Sequence, residues 1–258
     1  MDAVDNWWRP FARCPDEAGL FVDFDGTLAH IVADPSTARP LPGVLDVLGA
    51  LSARLHTVAV VSGRPVEFLA AHFGAVGVVL SGQYGLEEWR DGRRLVDPAT
   101  TAWQQTVAAA ADRAEAELPS GVGVERKGLS VTLHVRVNPE HEPQVKRWAE
   151  REAAETGLVV HPARRSWELR PPVATDKGAV VAALADGLRA VCFVGDDRGD
   201  LPAFAALDRL AARSPEFLAR KIAVSSDEAP PELLLAADRV VNGPTGALAL
   251  LRELAEAL

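Results

Sequence analysis

Cysteine is scarce in this sequence: Cys14 and Cys192 are the two it has in 258 residues. Cys192 lies in an apolar, strand-like run, so we expect a buried free thiol rather than a disulfide, as suits a reducing cytoplasm. Long apolar runs are missing too. None approaches the roughly 20 residues needed to cross a bilayer, so no membrane partner is expected. Residues 1–15 hold acids and two tryptophans but no basic stretch followed by an apolar one, which argues against a secretory leader. Surplus positive charge is also lacking. Lys and Arg number 27 against 36 Asp and Glu, a formal net charge of −9, and a phosphate backbone would be repelled. Nucleic acid is therefore not an expected partner, and the chain reads as cytoplasmic. No internal repeat or low-complexity segment stands out beyond a richness in alanine.

What is present is an ordinary globular composition, 48% hydrophobic and 24% charged, long enough for one large or two modest domains. The chain is organised around Asp23-Phe24-Asp25-Gly26-Thr27. An apolar lead-in over residues 19–22 predicts a short buried strand that ends in two carboxylates and then turns at a glycine. Ligands in open parallel sheets bind just beyond the carboxyl ends of strands. Paired carboxylates attract a hard cation such as Mg2+, and a carboxylate can also act as a nucleophile. A plain Asx-type turn is the simpler alternative.

The rest of the pattern supplies a framework. Residues 42–55 read as an amphipathic helix and 56–61 as a strand ending in Ser62-Gly63-Arg64. A helix then starts at Pro65, and an apolar run over 76–80 ends in Ser81-Gly82. That alternation predicts a parallel α/β sheet with right-handed crossovers. After Gly85 the rhythm changes. Two short strands flank Asp91-Gly92, a hairpin signal. There follow a helix over 101–118, alternating runs over 121–127 and 129–137, a charged helix over 140–156, and short strands over 158–161 and 165–170. These make a small antiparallel sheet with helices on one face. The α/β rhythm returns with a helix over 177–189, a strand over 190–194, an acidic loop over 195–200, a helix over 201–207, strands over 221–225 and 239–241, and a closing helix. We expect a core of residues 1–98 and 172–258, with 99–171 inserted. Trp7, Trp8 and Phe11 share a helix face that either docks on the core or meets a partner.

Four core strands thus end in polar groups: Asp23 and Asp25, Ser62 to Arg64, Ser81 and Gly82, and Asp196, Asp197 and Asp200. Lys177 opens a helix just before the fourth. Each has a bland reading, Ser62 as a helix cap or Lys177 as a solvated first-turn residue, but a parallel sheet puts all these ends on one edge. Phosphoryl transfer assembles readily from them. Asp23 attacks phosphorus, and Asp25 protonates the leaving oxygen and later deprotonates water. Mg2+ sits on Asp23, the Asp25 main-chain carbonyl and Asp196. Ser62 binds phosphate oxygens, and Lys177 adds a point charge.

These motifs resemble those of the haloacid dehalogenase-like hydrolase superfamily: Asp23 to Thr27 as the first, Ser62 the second, Lys177 the third, and the Gly195–Asp200 loop the fourth. The resemblance implies a Rossmann-like parallel-sheet core, and the insertion resembles an αββαββ cap. Within the cap, Ser130, Thr132, His134 and Arg136 alternate with Val131, Leu133, Val135 and Val137, so one sheet face is polar. That face is either solvated or a roof suited to a sugar.

Closer still is a resemblance to the trehalose-6-phosphate phosphatases, carried by Ser62-Gly63-Arg64, Gly82-Gln83-Tyr84-Gly85-Leu86-Glu87, Val124-Glu125-Arg126-Lys127, His134-Val135-Arg136, Glu168-Leu169-Arg170-Pro171 and Asp176-Lys177-Gly178. It implies that Glu125, Lys127 and Glu168 hold sugar hydroxyls, with Thr27, Gly63, Arg64 and Tyr84 also beside the substrate. Tyr84 stands where many members carry histidine. Asp197 and Asp200 would support the metal site from behind. The implied activity is Mg2+-dependent hydrolysis of trehalose 6-phosphate by a monomer. A phosphatase for a sucrose- or glucosylglycerate-type ester, or a non-catalytic partner of a sugar synthase, are the alternatives.

Overall fold

A computed structural model describes residues 6–32, 34–90, 92–163 and 165–258. In chain order it begins with α1 (Arg9–Arg13), β1 (Ala18–Val22), α2 (Val44–Ser52), β2 (Thr57–Val61), α3 (Val66–Phe73), β3 (Val79–Gly82), β4 (Glu87–Arg90) and β5 (Arg93–Val96). Next come α4 (Pro98–Thr101), α5 (Gln104–Glu117), β6 (Gly123–Arg126), β7 (Val131–His134), α6 (Glu142–Thr156), β8 (Val159–Ala163) and β9 (Ser166–Arg170). Last are α7 (Lys177–Leu184), β10 (Ala190–Gly195), α8 (Leu201–Arg213), β11 (Leu218–Ser225), α9 (Pro231–Ala236), β12 (Arg239–Asn242) and α10 (Gly243–Ala257). The chain divides into two compact units, one running to Arg94 and resuming over Thr175–Leu258, the other Leu95–Ala174. Of the expected Asp91-Gly92 turn, Asp91 lies outside the described residues, as do the first five residues.

Among the described residues eight strands form the larger sheet, in the order β12-β11-β10-β1-β2-β3-β4-β5. From β12 to β3 the pairing is parallel, and β4 turns back antiparallel on β3. Every residue of β1 and β10 is buried, the near-continuous apolar run of a sheet covered on both faces. Alternation along the strands splits them between two apolar clusters. Leu20, Val22, Val58, Val60 and Val194 join the stripe of α2 and the buried leucines of α10 on one face. Phe21, Ala59, Val61, Val191 and Phe193 meet α7 and α8 on the other. Trp7 and Phe11 are buried in the first cluster, so this aromatic segment docks on the core. Cys192 is wholly buried, and burial pushes its thiol well above the usual range, which keeps it protonated and inert.

Several predicted boundaries move, each for a local reason. The helix predicted over 177–189 stops at Leu184, because the chain turns at Gly187 with a φ of +77°. β11 starts three residues earlier than expected, at Leu218, where Arg220 masks its strand character.

The second unit holds a four-stranded antiparallel sheet in the order β6-β7-β9-β8. Val131, Leu133 and Leu169 from its apolar face pack with Val107, Ala111 and Ala114 of α5 and Val145, Trp148 and Ala149 of α6. β7 is shorter than its alternating sequence predicts. Beyond His134 its partner chain turns at Arg165, with a φ of +54°, and Val137 is left 73% exposed. Among the described residues no helix is long and apolar enough to cross a membrane.

Candidate active site

The carboxyl end of β1 is set by its ladder. The Asp23 amide donates to the Val194 carbonyl at 2.9 Å, placing Asp23 beside the end of β10. Phe24 turns into the core and Asp25 out of it. Gly26 then takes a φ of +83°, and a Cβ there would lie 2.1 Å from Asp196 Oδ2. Only glycine lets the backbone turn that close under the Asp196 carboxylate.

The loop after β10 is shaped by its own acids. Asp200 Oδ2 accepts the Asp196 and Asp197 amides at 2.9 and 3.0 Å, while the Asp197 side chain accepts the Gly199 amide. Lys177 is the first residue of α7, whose N-cap is Asp176. Its ammonium donates to Asp23 Oδ1 at 2.5 Å and to Asp200 Oδ1 at 2.7 Å. Carboxylate oxygens of Asp23, Asp196 and Asp200 lie within 4.8 Å of one another, and all three residues are buried.

Burial governs the charges here. It pushes Asp23 up to about 8, Lys177 opposing and Asp200 and Asp25 adding to the rise. Asp200 is raised for the same first reason. Burial also works against the Lys177 ammonium, but Asp200, Asp23 and Asp197 outweigh it and hold it well above the usual lysine range. With all three acids ionised, the single ammonium would leave two negative charges over, the charge of one divalent cation, whereas burial alone drives Asp23 and Asp200 to hold protons. An all-oxygen donor set suits a hard ion such as Mg2+, so these residues fit one.

Asp25 stands apart from that trio. Arg64 grips its carboxylate with a fork, Nε to Oδ2 at 2.6 Å and Nη2 to Oδ1 at 2.7 Å. The same guanidinium donates to the Pro35 carbonyl at 2.7 Å and lies over the Phe68 ring at 4.7 Å. Ser62 is buried, and its hydroxyl accepts the Arg64 amide at 3.2 Å. The Tyr84 ring packs on the adjoining turn, where a Cβ on Gly63 would come within 2.6 Å of it. Gln83 and Tyr84 both adopt left-handed backbone, φ +47° and +59°, with the Tyr84 amide donating to the Ser62 carbonyl. Glu87 pins this loop. Its buried carboxylate accepts the Val66 amide at 2.6 Å and Gln83 Nε2 at 2.9 Å, and pairs with Arg94. Sequence reasoning gave Glu87 no role, although it closes the Gly82 to Glu87 block. Thr27 is buried, and its hydroxyl has no hydrogen-bond partner among the described residues.

Within the second unit, Glu125, Lys127 and Glu168 come together on one sheet face. Glu168 accepts from Ser130 at 2.7 Å and from Arg170 at 2.5 Å. Lys127 reaches Glu168 at 3.4 Å and Glu125 at 3.9 Å, and His134 bonds Glu125 at 2.8 Å. Burial works against the Glu168 charge, yet Lys127 and Arg170, with the Ser130 and Arg170 hydrogen bonds, hold it down at about 2. Glu168 is 1% exposed and Thr132 3%, so the middle of this face is not a solvated exterior.

A family model described as trehalose-phosphatase matches residues 21–231. The chain is 32% identical over 224 residues to a trehalose-phosphate phosphatase of Mycobacterium marinum, covering 80% of this chain and 55% of that protein. With the Mycobacterium tuberculosis counterpart it shares 34% identity over 206 residues, 73% of this chain and 51% of the other. It thus spans about half the length of the curated relatives it matches. The solved C-terminal domain of C. albicans trehalose-6-phosphate phosphatase superposes with a TM-score of 0.81 at 22% identity, over 98% of this chain and 96% of that one. A haloacid dehalogenase-like hydrolase from Bacteroides thetaiotaomicron gives 0.57 at 13% identity, over 92% and 99%. Such structures speak to the fold: a haloacid dehalogenase-like α/β core carrying an inserted α+β cap.

Proposed function

The chain belongs to the trehalose-phosphatase family, and on that premise we propose that it hydrolyses trehalose 6-phosphate to trehalose and inorganic phosphate. One observation carries the reading: the buried convergence of Asp23, Lys177, Asp196 and Asp200 at the ends of neighbouring strands.

In this mechanism Asp23 attacks phosphorus and carries the phosphoryl group as an aspartyl-phosphate. Lys177, charged throughout, steadies the transferring oxygens, and the Ser62 and Thr27 hydroxyls hold the others. As substrate binds, Asp25 exchanges the Arg64 fork for a proton from solvent, gives that proton to the departing sugar oxygen and then takes one from the water that hydrolyses the intermediate. Arg64 keeps that carboxylate in one orientation before substrate arrives. When bound, a Mg2+ ion on Asp23, Asp196 and the Asp25 main-chain carbonyl would offset repulsion between nucleophile and phosphate. Asp200, with its oxygens on Lys177 and two amides, fixes the loop with Asp197. Chelation by EDTA should stop phosphate release and added Mg2+ should restore it. Undiminished turnover in protein shown free of metal would remove the cation from the scheme.

The inserted unit is proposed to choose the sugar, with Glu125, Lys127 and Glu168 holding its hydroxyls. Phosphate release across a panel of sugar phosphates tests this, with the highest kcat/KM expected for trehalose 6-phosphate. A sucrose- or glucosylglycerate-type ester doing better would move the substrate and leave the phosphatase. Glu168→Ala should raise KM for trehalose 6-phosphate by about 10- to 100-fold, the cost of a charged hydrogen bond, and far less for p-nitrophenyl phosphate. Equal effects on both esters would count against sugar recognition by this face.

A further inference from the structure

We propose that Thr132 is a specificity-determining residue whose hydroxyl hydrogen-bonds a hydroxyl of the substrate's sugar. The inference rests on the sugar-phosphatase reading above and extends it to a residue for which the family motifs hold no place.

Register puts Thr132 at the centre of a rung across the smaller sheet. His161 pairs with Glu168, Glu168 with Thr132, and Thr132 with Glu125. Directly opposed residues share a face, so a threonine stands between the two glutamates proposed to grip the sugar. Its neighbours on that face are satisfied. Ser130 donates to Glu168 at 2.7 Å, and His134 bonds Glu125 at 2.8 Å. Thr132 is not. It is 3% exposed, and Oγ1 has no hydrogen-bond partner among the described residues.

An unpaired buried hydroxyl is costly, and a valine would fill the same volume without that cost. A position serving packing alone would be apolar, as Val131 and Leu133 are on the opposite face. A threonine hydroxyl donates one hydrogen bond and accepts others, which matches the hydroxyl of a polyol. Lys127 spans the flanking glutamates at 3.4 and 3.9 Å, longer than ordinary hydrogen bonds. An arriving hydroxyl group replaces those two contacts and meets Thr132.

Thr132→Val and Thr132→Ser separate the hydroxyl from the shape. In Thr132→Val the ratio of kcat/KM for trehalose 6-phosphate to that for p-nitrophenyl phosphate should fall about five- to tenfold, mainly through KM. Its thermal midpoint should match or exceed that of the natural chain, because the unpaired hydroxyl is gone. Thr132→Ser should recover most of the ratio. An unchanged ratio in Thr132→Val, or an equal fall in Thr132→Ser, would overturn the proposal. If Glu168→Ala discriminates between the esters and Thr132→Val does not, Thr132 alone falls. If the natural chain does not act on trehalose 6-phosphate, the underlying reading falls and takes this one with it.

Discussion

Replacing Asp23 by asparagine is expected to cut phosphate release by about 10^4-fold or more while sparing the fold, since an amide cannot take up the phosphoryl group. Sparing the fold follows from the surroundings of Asp23. Burial already pushes this carboxyl up to about 8, so its ionised form is strained in the protein and a neutral isostere relieves it. The amide oxygen can still accept from Lys177, and Lys177 keeps Asp200 at 2.7 Å. A chelator-treated sample should therefore melt at or above the temperature of the natural chain. Phosphate release and a thermal scan on one preparation check both halves. Activity within tenfold of the natural chain would move the nucleophile to another residue.

Lys177→Met should fail in the opposite way, losing stability as well as turnover. The methionine has similar length but strips two buried carboxylates of a shared counter-charge. Removing one member of such a buried pair costs about 3–5 kcal/mol, and losing the charge should slow turnover by about 10^2- to 10^3-fold. The pH dependence has a definite sign. The Lys177 pKa is raised, so its contribution is fully present below the usual 10.5 and fades only as pH climbs through the folded value. The ammonium is thus charged throughout the working range, and the size of the deficit follows the ionisation of the two carboxylates. Toward acid the orphaned Asp23 and Asp200 take up protons and the deficit shrinks, so it should be larger near about pH 8 than near about pH 5. Urea denaturation with chelator present measures it. A difference below about 1 kcal/mol near about pH 8 would place the two carboxylates outside a shared buried pair.

The meeting of Asp23 with Lys177 and Asp196 was legible because topology alone brings it about. The apolar runs before Asp23 and Asp196 are strands buried on both faces, and parallel neighbours must end on one edge. The grip of Arg64 on Asp25 was not legible. It depends on the Pro35 carbonyl and the Phe68 ring, which sequence spacing does not bring together. Nor does any residue type announce the left-handed backbone of Gln83 and Tyr84, held by bonds to Arg64 and Ser62 carbonyls. In the smaller sheet the alternation of β7 runs on into Val135 and Val137, whereas its partner has already turned at Arg165. Pattern marks which residues could pair, and the neighbour decides how many do.

Each unit closes its own apolar interior, one from residues up to Trp89 and from Ala190 onward among others, the second from residues between Trp103 and Leu169. The six tryptophans divide evenly: Trp7, Trp8 and Trp89 in the first, Trp103, Trp148 and Trp167 in the second. Their fluorescence is thus a blend of two reporters, and a single unfolding free energy is defined only where both interiors melt in one cooperative step. Silencing the three indoles of the second unit with phenylalanine would leave emission from the first unit alone, the signal in which the loss of a buried lysine belongs.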